Sequence, residues 1–437
     1  MSKKVVYVVK PGGTSRGSIR VPGDKSVSHR SIMLGSLTNG TVNVSGFLQG
    51  EDSLNTLRAF RAMGVSISDP KNTKLTIQGV GMRGLRAPDS TLYLGNSGTS
   101  MRLLSGLLAA QSFETVLEGD DSLTRRPMKR VTDPLEKMGA TIISRDGCPP
   151  LQIKGGIPLR GIDYVLPMAS AQVKSCILLA GLYAEGETIV TEPAPTRDHT
   201  ERMLTAFGYA VKREGNRISL CGGGSLNAVD IQVPSDISSS AFFMVAASIG
   251  EDADLVLEQV GINPTRTGVI DILRLMGADI ELANEHIAGG EPVADVHIRA
   301  ANLKGIEIPE SLVPLAIDEF PVLFIAAACA KGTTVLRGAE ELRVKESDRI
   351  QVMAEGLTSL GIKAMATPDG IVIEGGKLSG GEVQSHGDHR IAMAFSIAAL
   401  RAGDEIVIRD CENVNTSFPG FAELAGTVGL HILVETN

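Results

Sequence analysis

Several kinds of residue that define common binding surfaces are scarce in this 437-residue chain. Tryptophan is absent and aromatic residues make up 4% of the sequence, which excludes an extended stacking surface for single-stranded nucleic acid. The formal net charge is -8, so any anion site must be a local cluster of cations in an acidic background. The sequence therefore predicts no nucleic-acid partner.

Cysteine pairs and long apolar runs are also lacking. The five cysteines are scattered and form no CxxC pair, which argues against a disulfide framework or a zinc site. The longest apolar stretches, such as 322–330, are too short to span a bilayer, and residues 1–10 contain no secretory signal. We therefore expect a soluble, reduced, cytoplasmic protein that has no membrane partner.

A short phrase, in which an apolar residue and a glycine precede an alternating strand pattern, recurs six times along the chain. Each glycine fits the left-handed position that ends a helix before a strand begins. A second pattern recurs with the same period. In every repeat, an apolar helical run leads into a short β-rich segment. The six glycines are Gly64, Gly139, Gly208, Gly277, Gly361 and Gly429.

The chain is too long for one core, and six α/β units divide naturally into three and three. We predict one domain at 23–239 and a second at 1–22 with 240–437, completed by the strand Val5–Val9. The chain would cross between the domains twice, near Pro22 and near Pro234. A cleft between the two domains is the expected ligand site.

Each repeat has a polar or glycine-rich segment where its first helix should begin. Cations normally avoid a helix N-terminus because they oppose the dipole, so Lys25 and Arg30 in the first segment indicate a bound phosphate or carboxylate. The alternative is that the Ser, Asp and Asn residues are ordinary helix caps. The six segments are 25–30, 95–102, 170–172, 235–238, 317–319 and 386–390.

Two other charged features allow more than one interpretation. The run 343–349 alternates cations with carboxylates, which is typical of a solvated helix face but could also serve catalysis. His386 and His389 resemble a metal pair, but no cysteine or third histidine lies near them in the sequence. We therefore predict no metal, and the turn Gly23–Ser26 lacks the glycine and Gly-Lys pair of a P-loop.

Seven motifs, in order over essentially the whole chain, resemble the 3-phosphoshikimate 1-carboxyvinyltransferase (EPSP synthase) family. The resemblance implies an α/β fold of two domains, each with three βαβαββ units around a pseudo-threefold axis and with the active site in the interdomain cleft. This architecture agrees with the six units inferred from the repeat. The motifs lie at 22–26, 95–99, 126–127, 170–172, 343–349, 387–390 and 416–419.

The resemblance also implies a reaction. The enolpyruvyl (carboxyvinyl) group of phosphoenolpyruvate would pass to the 5-hydroxyl of shikimate 3-phosphate, giving 5-enolpyruvylshikimate 3-phosphate and phosphate in the pathway to aromatic amino acids. The hydroxyl attacks C2 while C3 is protonated, and the tetrahedral intermediate then loses phosphate. No cofactor and no metal are implied.

Site residues follow from the resemblance position by position. Asp318 would take the proton of the 5-hydroxyl, Glu346 would exchange a proton at C3, and Lys25 would act as an acid near the bridging oxygen. Arginine suits such substrates because its guanidinium binds phosphate or carboxylate in a bidentate manner. The residues implied for shikimate 3-phosphate are Lys25, Ser26, Arg30, Ser170, Ala171, Gln172, Arg197, Asp318 and Lys345. Those implied for phosphoenolpyruvate are Lys25, Gly98, Arg126, Gln172, Arg349 and Arg390.

The chain departs from the common family pattern at two places. Ala171 replaces a serine, and the stretch with Thr416 and Ser417 lacks the lysine that many members carry before Phe-Pro. Ala171 and the run 197–199 resemble the family's second sequence class. Members of that class often tolerate glyphosate, commonly with alanine at the position of Gly98. Because Gly98 is small, we expect glyphosate to fit the site and to inhibit the reaction. Separately, we expect the protein to be a monomer.

Two alternatives remain open from the sequence. A sister enzyme transfers enolpyruvate to UDP-N-acetylglucosamine, but it typically has Asn beside the N-terminal lysine and a reactive cysteine in a loop. Here Ser26 follows Lys25, and no cysteine lies between Ala87 and Arg130. The other alternative is a non-catalytic protein that binds anions on the same fold, and it gives no reason for Asp318 and Glu346 to lie among cations.

Overall fold

The computed structural model describes residues 4–436, and the predicted mixed α/β class is confirmed. Within this range, no helix combines the length and the apolar composition needed to cross a bilayer. The helices are α1 (Lys25–Ser36), α2 (Glu51–Ala62), α3 (Gly98–Ala109), α4 (Lys129–Lys137), α5 (Ala171–Gly181), α6 (His199–Ala206), α7 (Ile237–Ile249), α8 (Gly268–Leu275), α9 (Phe320–Cys329), α10 (Arg349–Ser359), α11 (His389–Ala398), α12 (Val414–Ser417) and α13 (Phe421–Thr427).

Most of the strands are short. The first fourteen are β1 (Val5–Val9), β2 (Arg16–Ile19), β3 (Thr41–Ser45), β4 (Ser66–Ile67), β5 (Leu75–Gln78), β6 (Leu92–Tyr93), β7 (Thr115–Glu118), β8 (Ile142–Arg145), β9 (Cys148–Ile153), β10 (Asp163–Val165), β11 (Glu187–Thr191), β12 (Lys212–Glu214), β13 (Arg217–Cys221) and β14 (Ile231–Gln232). The remaining nine are β15 (Asp254–Gly261), β16 (Asp279–Ala288), β17 (Glu291–Arg299), β18 (Thr333–Leu336), β19 (Lys363–Thr367), β20 (Gly370–Glu374), β21 (Gly381–Gln384), β22 (Ile406–Arg409) and β23 (Ile432–Thr436).

The chain divides into two units. Unit 2 comprises Gly23–Pro234 and Ile287–Glu291, and unit 1 comprises the rest. Residues 235–239, which the sequence analysis assigned to the first domain, belong to unit 1, where α7 begins. The chain crosses between the units more often than the two times expected, because the adjoining ends of β16 and β17, Ile287–Glu291, lie in unit 2 and add two crossings.

Each of the six repeat glycines follows the C-cap residue of a helix, and each glycine has a positive φ. The prediction that they end helices is therefore confirmed, because φ between +81° and +103° is the left-handed conformation that glycine adopts without strain. Their φ values are 89° at Gly64, 103° at Gly139, 81° at Gly208, 95° at Gly277, 84° at Gly361 and 91° at Gly429.

The repeat produces sheets with one recurring strand order. In unit 2 the orders are β14-β3-β5-β4, β6-β7-β9-β8 and β10-β11-β13-β12, and the first strand of each is parallel to the second. A parallel pair needs a crossover, which α3 and α5 supply within their own repeats. In unit 1 the orders are β2-β15-β17-β16, β18-β20-β19 and β21-β22-β1-β23. The N-terminal strand β1 thus lies between β22 and β23 and pairs with both in antiparallel register.

Each unit has its own apolar core. In unit 2 it is built around α1, α3 and α5, and in unit 1 around α7, α9 and α11. Every residue of α7 is buried, so this helix is enclosed on all sides. Because these helices are packed inside the cores, the polar residues at their starts are fixed in position.

Candidate active site

Five of the six helix starts that the sequence analysis singled out carry a side-chain cap, whereas the start of α9 has none. Asp24, Ser97, Ser170, Asp236 and Asp388 each accept a backbone N–H of the helix that follows. The capping interpretation is therefore confirmed for these five side chains. Anion binding at the same helix starts stays a prediction.

The predicted site residues are distributed over both units. Those in unit 2 are Lys25, Ser26, Arg30, Gly98, Arg126, Ser170, Ala171, Gln172 and Arg197. Those in unit 1 are Asp318, Lys345, Glu346, Arg349 and Arg390.

Lys25 is the first residue of α1 and forms an ion pair with α2. Its Nζ atom lies 3.0 Å from Oδ2 of Asp52, and the lysine side chain is 24% exposed. Asp24, the cap of α1, is buried and accepts the N–H of Val27 over 2.8 Å. The ammonium group of Lys25 is therefore held near the surface of unit 2 at a fixed helix start.

Arg30 lies one turn further along α1 and is buried. Its guanidinium donates to Oγ1 of Thr200 over 2.7 Å, to the carbonyl of Ser26 over 2.9 Å and to Oγ of Ser175 over 2.9 Å. Burial lowers the pKa of Arg30 to about 10, although nearby carboxylates, first that of Glu201, oppose the shift. Arg30 stays charged at neutral pH and joins α1 to α5 and α6.

Two arginines approach Gly98 at the start of α3. A Cβ atom at Gly98 would lie 2.9 Å from Nη1 of Arg102 and 3.3 Å from Nη1 of Arg126. Arg126 itself donates to Oδ1 of Asn96 over 2.6 Å. The absence of a side chain at Gly98 thus allows two guanidinium groups to lie close to the start of α3.

Gln172 links the starts of α3 and α5. Its Oε1 accepts from Nη1 of Arg102 over 2.5 Å, and its Nε2 donates to Oγ1 of Thr99 over 3.1 Å. Ser170 caps α5 and Ala171 is the first residue of that helix. Arg102 was not among the predicted site residues, although it lies one helical turn after Gly98 in a segment that the repeat had marked.

Arg349, the first residue of α10, is 1% exposed and surrounded by carboxylates. Its Nε donates to Oδ2 of Asp388 over 2.8 Å, its Nη2 donates to Oε2 of Glu346 over 2.7 Å, and its Nη1 lies 3.5 Å from Oδ1 of Asp318. Burial acts to lower the pKa of this guanidinium, but the carboxylates, first Asp388, outweigh it and raise the pKa above its ordinary value.

Asp318 also lies close to a second cation. The Nζ atom of Lys345 is 3.7 Å from Oδ1 of Asp318 and 3.7 Å from Oε1 of Glu341. The backbone N–H of Arg390 donates to Oδ1 of Asp388 over 2.9 Å, which ties the start of α11 to Arg349. The five predicted residues of unit 1 therefore lie in one connected set of ion pairs and hydrogen bonds.

The charged run 343–349 is not a solvated helix face, so that interpretation was wrong. Arg343 and Val344 end the short 3₁₀ turn Glu340–Val344, and Asp348 caps α10 by accepting the N–H of Gln351 over 3.0 Å. The run precedes the helix, and its last residue, Arg349, is buried. Among the residues that the structure describes, no group of three or more His, Cys, Asp or Glu side chains could hold a metal ion.

Comparison with known proteins first identifies the class of fold. The enolpyruvyl transferase NikO from Streptomyces tendae is 18% identical, each chain is covered completely, and the TM-score is 0.80. The chain thus has the fold of this enolpyruvyl transferase. Solved EPSP synthase from Acinetobacter baumannii is much more similar, with 64% identity, a TM-score of 0.91, and 99% of this chain and 100% of that chain covered.

Sequence comparison defines the family. The family model for EPSP synthase (3-phosphoshikimate 1-carboxyvinyltransferase) matches residues 9–424. The 3-phosphoshikimate 1-carboxyvinyltransferase of Alkalilimnicola ehrlichii is 67% identical over 97% of this chain and 96% of its own length. That of Methylococcus capsulatus is 66% identical over 99% of both chains. The chain belongs to the EPSP synthase family and is therefore a transferase.

Proposed function

We propose that this chain transfers the enolpyruvyl group of phosphoenolpyruvate to the 5-hydroxyl of shikimate 3-phosphate and releases phosphate. Membership of the EPSP synthase family supports this activity. The observation that carries the chemistry is the carboxylate of Asp318, which lies 3.7 Å from Nζ of Lys345 and 3.5 Å from Nη1 of Arg349. A base with two adjacent cations suits a reaction in which a hydroxyl loses its proton beside anionic substrates.

In this proposal, Asp318 accepts the proton of the 5-hydroxyl as that oxygen attacks C2 of phosphoenolpyruvate. Lys25 acts as an acid near the bridging oxygen. Glu346 exchanges a proton at C3. When the C–O bond to phosphate breaks, loss of a proton from C3 regenerates the vinyl group, so atoms and charges balance. The Glu346 carboxylate is 32% exposed, which allows exchange with water.

The substrate-binding roles follow the charge and hydrogen-bonding groups of the two units. The proposed ligands of phosphoenolpyruvate are Lys25, Gly98, Arg126, Gln172, Arg349 and Arg390. Those of shikimate 3-phosphate are Lys25, Ser26, Arg30, Ser170, Ala171, Gln172, Arg197, Asp318 and Lys345. The close approach of Arg102 and Arg126 to Gly98 supports a small anion at that position.

Glyphosate inhibition, a monomeric state and a cytoplasmic location are parts of the same proposal. The close approach of Arg102 and Arg126 to Gly98, which a Cβ atom would obstruct, supports glyphosate binding at this position. One chain carries every assigned residue, which supports a monomer. All five cysteines are free thiols, which fits a reducing compartment.

A phosphate-release assay tests the activity. Purified protein is incubated with phosphoenolpyruvate and either shikimate 3-phosphate or UDP-N-acetylglucosamine, and the product mass is measured. We expect phosphate and an enolpyruvyl ether only with shikimate 3-phosphate. Release only with the nucleotide sugar would identify the sister activity, and binding of both anions without phosphate release would identify a non-catalytic binding protein.

A further inference from the structure

The segment 196–201 of unit 2 has an unusual pattern of burial. Thr196, Asp198, His199, Thr200 and Glu201 are all at most 9% exposed, although each is polar or charged. Only Arg197 in this segment is partly exposed. Polar connecting segments normally lie open to solvent, so five buried polar residues in six need partners inside the protein.

The central partner is Lys174, which is completely buried in α5. Its Nζ atom lies 2.6 Å from Oε1 of Glu192 and 2.7 Å from Oε1 of Glu201, and it donates to the carbonyl of Thr196 over 3.5 Å. The hydroxyl of Thr196 also donates to Glu192. One ammonium group therefore connects α5 to Glu192, which follows β11, to Thr196 before α6 and to Glu201 within α6.

The buried aspartate and histidine of the segment are held in a similar way. Oδ1 of Asp198 accepts from Nε of Arg202 over 2.8 Å, and Nη1 of Arg213 lies 3.9 Å from its Oδ2. His199 Nδ1 is 2.8 Å from Oε1 of Glu291. These contacts fix the residues that follow Arg197.

Thr200 completes the set of anchors. Its Oγ1 accepts from Nε of Arg30 over 2.7 Å and donates to Oγ of Ser175 over 2.7 Å. Each of the five buried residues of the segment therefore contacts a charged partner. Two of them, Thr196 and Asp198, are the direct neighbours of Arg197 in the chain. Buried contacts therefore hold the chain on both sides of Arg197.

We propose that Lys174 is a positioning residue, which fixes the 196–201 segment through Glu192 and Glu201 and so preorganises Arg197 for a phosphate group of the acceptor substrate. This inference rests on the proposed function. Buried ion pairs contribute little net stability, because desolvation of the charges offsets their attraction, and a well-packed apolar cluster would often stabilise a fold equally well. Preorganisation supplies a reason for the charges, since an arginine held in place loses less conformational freedom on binding.

The test uses Lys174→Met, Arg197→Ala, the double variant, and Leu151→Ala as a control for lost stability in another sheet of unit 2. We expect Lys174→Met to raise KM for shikimate 3-phosphate by about tenfold, the size of one charge-assisted hydrogen bond, and to leave KM for phosphoenolpyruvate within about twofold. In the Arg197→Ala background, Lys174→Met should add no further increase in KM, because residues that act through one another are not additive.

Equal increases in both KM values, or the same increase whether or not Arg197 is present, would overturn the proposal. Leu151→Ala should lower Tm without changing the ratio of the two KM values. If Lys174→Met does not fold, Glu192→Gln takes its place, because it leaves Lys174 paired with Glu201 while it weakens the hold on Thr196. A normal KM for shikimate 3-phosphate in that variant would equally refute the positioning role.

The two proposals fail in different ways. A wild-type protein that releases no phosphate from phosphoenolpyruvate with shikimate 3-phosphate refutes the proposed function and, with it, the positioning role. An active wild-type protein whose Lys174 or Glu192 variants retain a normal KM refutes the positioning role alone.

Discussion

The guanidinium of Arg349 donates through Nη2 to Oε2 of Glu346 over 2.7 Å. The same guanidinium donates through Nε to Oδ2 of Asp388 over 2.8 Å. The two carboxylates differ in burial, since the Glu346 side chain is 32% exposed and that of Asp388 is completely buried. Their removal should therefore have different consequences.

Glu346→Gln should lower kcat and leave the fold stable. The Glu346 carboxylate is partly exposed and Arg349 keeps its buried partner Asp388 in this variant, so we expect only a small loss of stability. Loss of proton exchange at C3 should lower kcat by about 10²- to 10⁴-fold, the usual contribution of a positioned acid or base. The measurements are kcat, Tm and incorporation of deuterium at C3 from D₂O.

Asp388→Asn is the matched variant. It leaves the charge of Arg349 without its buried counterion, which costs about 3–5 kcal/mol of stability. We expect a clear fall in Tm for this variant and almost none for Glu346→Gln. If Glu346→Gln lowers Tm as much and exchange at C3 continues, Glu346 has a structural role only.

Asp318→Asn should slow the reaction far more than it weakens binding of shikimate 3-phosphate. The amide keeps the shape of the carboxylate between Lys345 and Arg349 but accepts no proton from the 5-hydroxyl. A base acts mainly in the transition state, so kcat should fall by about 10²- to 10⁴-fold while Kd changes much less. Stopped-flow or calorimetric titration gives Kd, and comparable losses in both quantities would contradict the assignment.

The repeat could be predicted from sequence because its signals are local. Gly64 and Gly429 each follow an apolar residue and precede a strand, and the left-handed conformation needed there is one that glycine adopts readily. The caps Asp24 and Ser97 are equally local, since a side chain bonds an N–H two or three residues away. Such features depend on a few neighbouring residues.

The rest depends on contacts between distant segments. Nothing near β14 in the sequence indicates that it pairs in parallel with β3, and nothing near Ile287–Glu291 indicates that this tip belongs to unit 2. In the sequence, Lys174 is a single lysine before an apolar run, and its partners Glu192 and Glu201 lie in other parts of the chain. Their pairing becomes visible only when the fold brings these elements together.

Gly98→Ala should weaken glyphosate inhibition. The new Cβ atom would lie 2.9 Å from Nη1 of Arg102 and 3.3 Å from Nη1 of Arg126, so the two flexible arginines must shift. We expect the inhibition constant for glyphosate to rise by about tenfold or more, equivalent to 1.4 kcal/mol, with a smaller rise in KM for phosphoenolpyruvate.

Gly426→Ala is the control for this substitution, because a Cβ atom at Gly426 meets no heavy atom within 4 Å. It should leave the inhibition constant, KM and kcat unchanged. Gly98→Ala should also keep the wild-type Tm, because alanine favours a helix more than glycine does. Unchanged glyphosate inhibition in Gly98→Ala would remove Gly98 from the inhibitor site.

The buried imidazole of His29 should make the free energy of unfolding depend on pH. The imidazole is completely buried between α1 and α2, and its Nδ1 lies 2.7 Å from Oγ1 of Thr56. Burial lowers its pKa to about 3, with Lys25 and Arg30 acting in the same direction and Asp52 opposing them. The pKa in the unfolded chain is about 6.5, so between these two values the unfolded state binds one more proton at this residue.

Folding stability should therefore fall as the pH falls from about 6.5 towards 3, by up to about 1.4 kcal/mol per pH unit from His29 alone. Above pH 6.5 the contribution of the neutral imidazole is fully present. His29→Asn removes this titration, so its free energy of unfolding, measured by urea denaturation between pH 4 and 6, should depend less steeply on pH than that of the wild type. The exposed His286 provides the control, since His286→Asn should keep the wild-type slope. Equal slopes for the wild type and His29→Asn would show that the imidazole binds protons equally well in the folded and the unfolded states, which would contradict the lowered pKa.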